Sequence, residues 1–268
     1  MDIPESIPAP QALLKNLSHL STHWQESHQP VLLFTLESLS SGLRSEIQID
    51  RAVRQHLDWI CEDGRYQVAI LADLPVHQLR SLRRHPELLL LGSGGYEIES
   101  RKFRWRYPGI ATMLALMADW KMELVQGYGN AVGESVRDHG SWLEVGLVSL
   151  EPALRKRIRI QLLGRVDENP KVEIRQTDTH IVLRPREMWD RGQALQNLLN
   201  LLPRREGRPP ELSYIGSQVS DKAAFRYLYR SGIPIYYGDA VPPISIKVRY
   251  YIKGRAELNR FLYWLHSH

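Results

Sequence analysis

Val31-Leu32-Leu33-Phe34-Thr35-Leu36-Glu37-Ser38-Leu39 is the stretch on which the reading of this chain turns. Its first half is a short, continuously apolar run, the pattern of a buried strand. It then turns polar as Thr-x-Glu, so the strand end carries a hydroxyl and a carboxylate. Working outward, Val68-Ala69-Ile70-Leu71 and Leu88-Leu89-Leu90-Leu91 are further strand-sized apolar runs. Helical spacing separates them. Val53, Leu57 and Ile60 predict a helix over 50–62, and Pro75 opens another through Leu79 and Leu82. Leu13, Leu14, Leu17, Leu20 and Trp24 predict an amphipathic helix over 11–25. Strands alternating with helices specify an α/β fold with a mostly parallel sheet and right-handed crossovers.

The rhythm changes after Arg104. A long helix over 108–125 leads to Gly127-Tyr128-Gly129-Asn130, then a strand near Trp142 to Leu150, a basic helix near 153–162 and a strand at 172–175. This is the pattern of an α+β insertion. The βα alternation resumes with Ile181-Val182-Leu183, a helix at 188–202, a strand at 212–215 and a helix at 221–231. Strands at 233–237 and 245–249 precede a last helix through Leu258, Phe261, Leu262 and Leu265. The expected organisation is an N-terminal helix (1–27), a first core segment (28–104), an inserted cap (105–178) and a second core segment (179–268).

With 268 residues, 43% apolar and 24% charged, the composition is that of an ordinary globular protein. No apolar run has membrane-spanning length, and the acidic, proline-interrupted start does not resemble a secretory signal. The single cysteine, Cys61, has no intrachain partner for a disulfide, which fits a reducing cytoplasm. A net charge of +5 raises the question of nucleic acid. The arginine clusters at 83–84, 101–106, 155–159 and 204–208 are scattered, however, and a phosphate-contact role would require them to converge on one face. His19, His23 and His28 fall near the first helix without ligand-spaced carboxylates, so no metal site is expected from histidine.

Together the strand ends resemble the trehalose-6-phosphate phosphatase branch of the haloacid dehalogenase superfamily. Val68 to Pro75 resembles the family's Val-Ala-(Ile/Val)-(Val/Ile)-Ser-Gly-Arg-Pro segment. Leu91-Gly92-Ser93-Gly94-Gly95-Tyr96-Glu97-Ile98 resembles its Gly-Ser-His-Gly-x-Glu-Ile turn. Leu183-Arg184-Pro185 followed by Arg191-Gly192-Gln193-Ala194-Leu195 is similar to its Ile-Arg-Pro strand and Lys-Gly-x-Ala-Leu helix entry. The most specific likeness is Ile215-Gly216-Ser217-Gln218-Val219-Ser220-Asp221-Lys222-Ala223-Ala224-Phe225, beside the family's Ile-Gly-Asp-Asp-x-Thr-Asp-Glu-x-Ala-Phe block. The resemblance implies a Rossmann-like core, a cap inserted before the Ile-Arg-Pro strand, and a site at the carboxyl ends of the parallel strands.

Within that resemblance the chemistry departs from the family pattern. Family members attack phosphate with the first aspartate of Asp-x-Asp-Gly-Thr. Thr35 stands there instead, and its hydroxyl needs a base to become nucleophilic. Glu37 replaces the acid/base aspartate, with one methylene more. The magnesium-binding Asp-Asp pair reads Ser217-Gln218, leaving Asp221 and Glu37 as the nearby carboxylates, whereas magnesium wants hard oxygens in a tight octahedron. Ala72 stands in the place of the phosphate-holding serine, and Arg191 in the place of the motif lysine. In the cap, Arg137 and His139 fall where a sugar-recognition Glu and Lys are expected.

These departures favour a non-enzymatic protein that acts by binding, as a scaffold or regulatory partner of another protein, with no cofactor. An enzyme of altered chemistry would use Glu37 as base, magnesium as cofactor, and Arg184 or Arg191 to hold the substrate. A sugar-phosphate sensor would offer Ser93, Gly94 and the Arg191 helix start to an anion. Tyrosines crowded after residue 213 add to the partner reading, because tyrosine is favoured at interfaces.

Overall fold

The structure, a computed structural model, describes residues 8–25, 27, 30–40, 49–186, 189–204, 206–217, 219–243 and 245–268. In chain order the elements begin with β1 (Gln11–Ala12), α1 (Leu17–Gln25), β2 (Val31–Thr35), α2 (Leu36–Leu39), α3 (Arg51–Asp63) and β3 (Gln67–Leu71). There follow α4 (Val76–Leu79), β4 (Leu89–Gly92), β5 (Glu97–Glu99), β6 (Arg104–Arg106), α5 (Ile110–Tyr128) and α6 (Asn130–Gly133). Next are β7 (Val136–Asp138), β8 (Leu143–Gly146), α7 (Pro152–Glu168), β9 (Val172–Gln176) and β10 (His180–Pro185). The chain continues with α8 (Arg191–Leu201), β11 (Leu212–Gly216), α9 (Lys222–Ser231), β12 (Ile233–Gly238), β13 (Tyr250–Lys253) and α10 (Gly254–Ser267).

The first compact unit comprises residues 1–72, 76–105 and 190–268. It is built on a nine-stranded sheet in the order β1-β13-β12-β11-β2-β3-β4-β5-β6. The strands from β1 through β4 pair in parallel, and β5 turns back antiparallel on β4. Strand residues alternate between two faces. Val31, Leu33, Ala69, Leu71, Leu89, Leu91 and Leu212 pack with Leu195, Leu198, Phe225 and Leu228 of α8 and α9. On the other face, the Trp24 indole donates to the Ser213 hydroxyl at 3.0 Å, and its ring lies 5.2 Å from Tyr66 and 6.4 Å from Phe261. Burial on both faces explains why β2 reads as an unbroken apolar run.

Some elements differ from the expectations. The N-terminal segment is not one helix over 11–25. Gln11 and Ala12 pair with Tyr250 and Tyr251 as an edge strand, a tight turn follows over Leu13–Lys15, and α1 begins only at Leu17. The strand expected at 245–249 forms at 250–253, where Tyr250 and Ile252 turn inward against β12. His28 and Gln218 lie outside the described residues.

The second unit comprises residues 73–75 and 106–189. Its four-stranded sheet runs β7-β8-β10-β9, all antiparallel, covered by α5 and α7. Met117, Trp120, Leu124, Leu143, Val145, Ile158, Leu162, Ile181 and Leu183 form its core. The boundary expected at 178 is corrected here. β10 pairs with β8 and β9, so Ile181-Val182-Leu183 belongs to the insertion, which extends to Trp189. The reason is local: Thr177 donates its N–H to the His180 carbonyl at 2.9 Å, closing a short hairpin between β9 and β10. Inward alternation at Ile181 and Leu183 suits either sheet, and the hairpin decides which one takes the strand.

Candidate functional site

The carboxyl ends of β2 and β11 meet the amino ends of α8 and α9 inside the first unit. Helix α8 starts with a full capping box: the Asp190 carboxylate accepts from Gln193 N–H at 2.9 Å, and Gln193 returns a bond to the Asp190 N–H at 3.0 Å. This anchors Arg191 at the first position of the helix, only 5% exposed. Arg191 donates through Nη1 to the Asp221 Oδ1 carboxylate oxygen, while its Nη2 stands 3.8 Å from Glu37 Oε1.

Asp221 is completely buried. Besides Arg191, it accepts from the Tyr214 hydroxyl at 2.6 Å and from Ser217 N–H at 2.8 Å. Burial, reinforced by the negative charge of Asp221 and opposed by Arg191, holds the Tyr214 hydroxyl protonated well above the ordinary tyrosine range. Tyr214 therefore stays a donor. Gly216 makes this arrangement feasible: a Cβ there would stand 2.6 Å from Asp221 Oδ2 and 2.7 Å from a Tyr214 ring carbon.

Thr35 ends β2, fully buried, and its Oγ1 has no hydrogen-bond partner among the described residues. Its carbonyl accepts from the Ser38 hydroxyl at 2.7 Å, which ties the short turn of α2 to the strand end. Glu37, in that turn, is 28% exposed. The structure thus brings Thr35, Glu37, Arg191, Ser217 and Asp221 to the neighbouring ends of β2 and β11.

The other expected site residues are placed differently. Ala72 is buried, with its N–H on the Leu91 carbonyl at 2.9 Å. Ser93 donates to Glu97 at 3.1 Å, and Glu97 also accepts from Val76 N–H at 3.0 Å. The Gly94 N–H donates to the Ala72 carbonyl at 2.9 Å. The Ser93–Gly94 donors are therefore engaged in shaping the turn after β4. Gly95 closes that turn with φ +100°, and its missing side chain admits Ala194 of α8. Arg184 lies in the second unit and donates to Glu173 of the neighbouring strand β9. Also in that unit, Arg137 pairs with Glu144 at 2.9 Å, and the His139 ring stacks on Trp142 at 3.6 Å between centroids. Burial holds the His139 pKa below its ordinary value, against the raising effect of the Asp73 charge.

Among the described residues, no group of three or more His, Cys, Asp or Glu side chains is placed to hold a metal ion. A cavity lies elsewhere in the first unit, beside β1 and β13, lined by Gln11, His19, Arg249 and Tyr250 among others. Sequence reasoning missed two residues of the site region. Tyr214 was grouped with interface tyrosines but is the buried partner of Asp221. Asp190 was not singled out, although Asp190-x-x-Gln193 is a capping-box signature legible in the sequence.

The family model for trehalose-phosphatase matches residues 39–242. This chain belongs to the trehalose-phosphatase family. The matched stretch begins past Thr35 and Glu37 and includes Arg191 and Asp221. A curated relative, the probable trehalose-phosphate phosphatase C of Arabidopsis thaliana, is 35% identical over 80 residues, covering 30% of this chain and 24% of that protein. The match thus spans about a quarter of that relative's length. Among solved structures, a trehalose-6-phosphate phosphatase of Aspergillus fumigatus superposes with a TM-score of 0.63 at 17% identity, covering 97% of this chain and 100% of that one. The C-terminal domain of the Candida albicans trehalose-6-phosphate phosphatase gives 0.67 at 13% identity, over 98% and 99%. The C-terminal domain of a Candida albicans trehalose synthase regulatory protein gives 0.61 at 13% identity, over 96% and 99%. At these identities the likeness is one of fold, and it establishes the α/β core with its α+β cap for this trehalose-phosphatase family chain. No described helix is long and apolar enough to cross a membrane.

Proposed function

We propose that this trehalose-phosphatase family chain does not hydrolyse phosphate esters and acts by binding, as a scaffold or regulatory partner of another protein. The observation that carries this reading is the buried Arg191–Asp221 pair with the half-buried Glu37 beside it. A guanidinium bonded to Asp221 and 3.8 Å from Glu37 already supplies the positive charge between the two carboxylates. Asp221 accepts from three donors, so its oxygens are engaged. Magnesium at this place would face a fixed cation and lacks the carboxylate set it prefers, so the residues present do not fit that ion.

Thr35 reinforces the reading. At neutral pH an aspartate is ionised, whereas a threonine hydroxyl needs a general base within hydrogen-bond reach. Thr35 Oγ1 has no such partner among the described residues. The sensor reading loses support, because Ser93 and Gly94 spend their donors on Glu97 and Ala72. A fold like this one also occurs in a protein named for a regulatory role, which agrees with the partner reading. The single buried thiol, Cys61, suits a cytoplasmic setting.

The test is phosphate release from trehalose-6-phosphate in the presence of magnesium. The expected rate equals the buffer blank. Turnover that disappears in Glu37→Ala would overturn the proposal.

A further inference from the structure

Arg80 and Arg83, neighbours along the chain, and Arg104, some twenty residues on, converge on one carboxylate. Glu99 of β5 has a buried side chain and three guanidinium partners. Arg80 forks onto it, with Nε at 3.1 Å from Oε1 and Nη2 at 2.7 Å from Oε2. Arg83 reaches Oε1 at 2.9 Å and the Glu99 carbonyl at 2.8 Å. Arg104 of β6 stands 3.2 Å from Oε2 while remaining 73% exposed. Beside them, Arg101 is 3.5 Å from Glu87 and 67% exposed, and Lys102 is exposed. Four arginines thus share two carboxylates and the exposed Lys102 adds a fifth cation, leaving this end of the sheet electropositive.

Lys102-Phe103-Arg104-Trp105 alternates charge and ring. Phe103 and Trp105 pack against the core of the first unit, so the charges face outward and these rings do not. Among the described residues of this face the Arg80, Arg101 and Arg104 guanidinium forks are exposed while Phe103 and Trp105 are half-buried against the core, an arrangement that disfavours the base stacking of a single-stranded nucleic acid. Forked donors suit carboxylates, and Glu99 is an example of that recognition within the chain.

We propose that the face formed by Arg80, Arg83, Arg101, Lys102 and Arg104 is a docking surface for a carboxylate-rich segment of a protein partner. It deepens the partner reading, on which it rests; the two fail separately, because one falls on peptide binding at this face and the other on turnover at the ends of β2 and β11.

The test is fluorescence anisotropy of the full chain with a labelled decaglutamate peptide, at ionic strengths of about 50 mM and about 300 mM. Saturable binding is expected at low salt, weakened about tenfold or more by Arg101→Glu with Lys102→Glu, and also weakened by Arg104→Ala. Lys156→Glu with Arg157→Glu, on the exposed side of α7, changes net charge equally and is expected to leave binding within about twofold. Thermal melts confirm that each variant is folded. Absent binding at low salt, equal loss in the α7 control, or tighter binding of a labelled oligouridine than of the peptide would each overturn the proposal.

Discussion

Arg191 and Asp221 form an ion pair in which the carboxylate is fully buried and the guanidinium nearly so. Arg191 opens α8, and Asp221 immediately precedes α9. Burying two charges is costly unless the geometry is good and the remaining donors and acceptors are met. Here Tyr214 and Ser217 complete the acceptor side, and Glu37 extends the pair toward solvent. The pair locks the helix starts to the ends of β2 and β11.

Arg191→Met leaves Asp221 as a buried carboxylate without its cation. The expected cost is about 3–5 kcal/mol in denaturant unfolding, and a double-mutant cycle with Asp221→Asn should recover part of it. A cycle with zero coupling would contradict the structure. Tyr214→Phe removes one bond to a charged acceptor and is expected to cost about 1.5–3 kcal/mol.

Gly216→Ala should destabilise through crowding rather than backbone strain. The added carbon would stand 2.6 Å from the Asp221 carboxylate and force Tyr214 aside. A loss of about 1–3 kcal/mol is expected. If Gly216→Ala melts like the parent, the carboxylate does not sit where the structure has it.

His56 Nδ1 and His266 Nε2 lie 3.0 Å apart on α3 and α10. Burial first, and the His266 charge second, lower the His56 pKa from its ordinary 6.5. A histidine whose folded pKa is depressed binds fewer protons folded than unfolded, so its contribution is present above 6.5 and is lost as pH falls toward the folded pKa. Melting temperature should therefore drop as pH falls below about 6.5, and His266→Ala should flatten that slope. An unchanged slope in His266→Ala would refute the coupling.

Cys61 is buried in α3, and burial, aided by the charges of Asp58, Glu62 and Glu87, pushes its thiol up to about 12. The thiolate needed for disulfide exchange is therefore scarce at neutral pH. An aromatic disulfide reagent should leave the native thiol unmodified and titrate it on unfolding. Rapid native modification would show that α3 opens locally.

How much of this was legible beforehand differs by region. The runs at 31–35, 67–71 and 89–92 were readable because a strand buried on both faces has to be apolar throughout. Helices α3 and α9 were readable because one face is buried and the other wet. β1 and β6 were not readable: edge strands are short and half exposed, so they carry little periodic signal. β10 carried the right pattern but no indication of which sheet would take it.

The strand-end residues followed the same division. By itself the sequence determined that a trehalose-phosphatase-like frame carries Thr35, Glu37, Arg191 and Asp221 at its strand and helix ends, because order and spacing along a βα chain are linear properties. It also determined that Ser217 and Ala72 lack carboxylate or hydroxyl chemistry matching the family pattern. Only the tertiary structure decided that Arg191 bonds Asp221 rather than facing solvent, that Ser93 and Gly94 are spent on Glu97 and Ala72, and that Arg80, Arg83 and Arg104 gather on Glu99. Those are facts of distance between side chains from separate elements, and electrostatics and hydrogen bonding depend on such distances, not on separation along the chain.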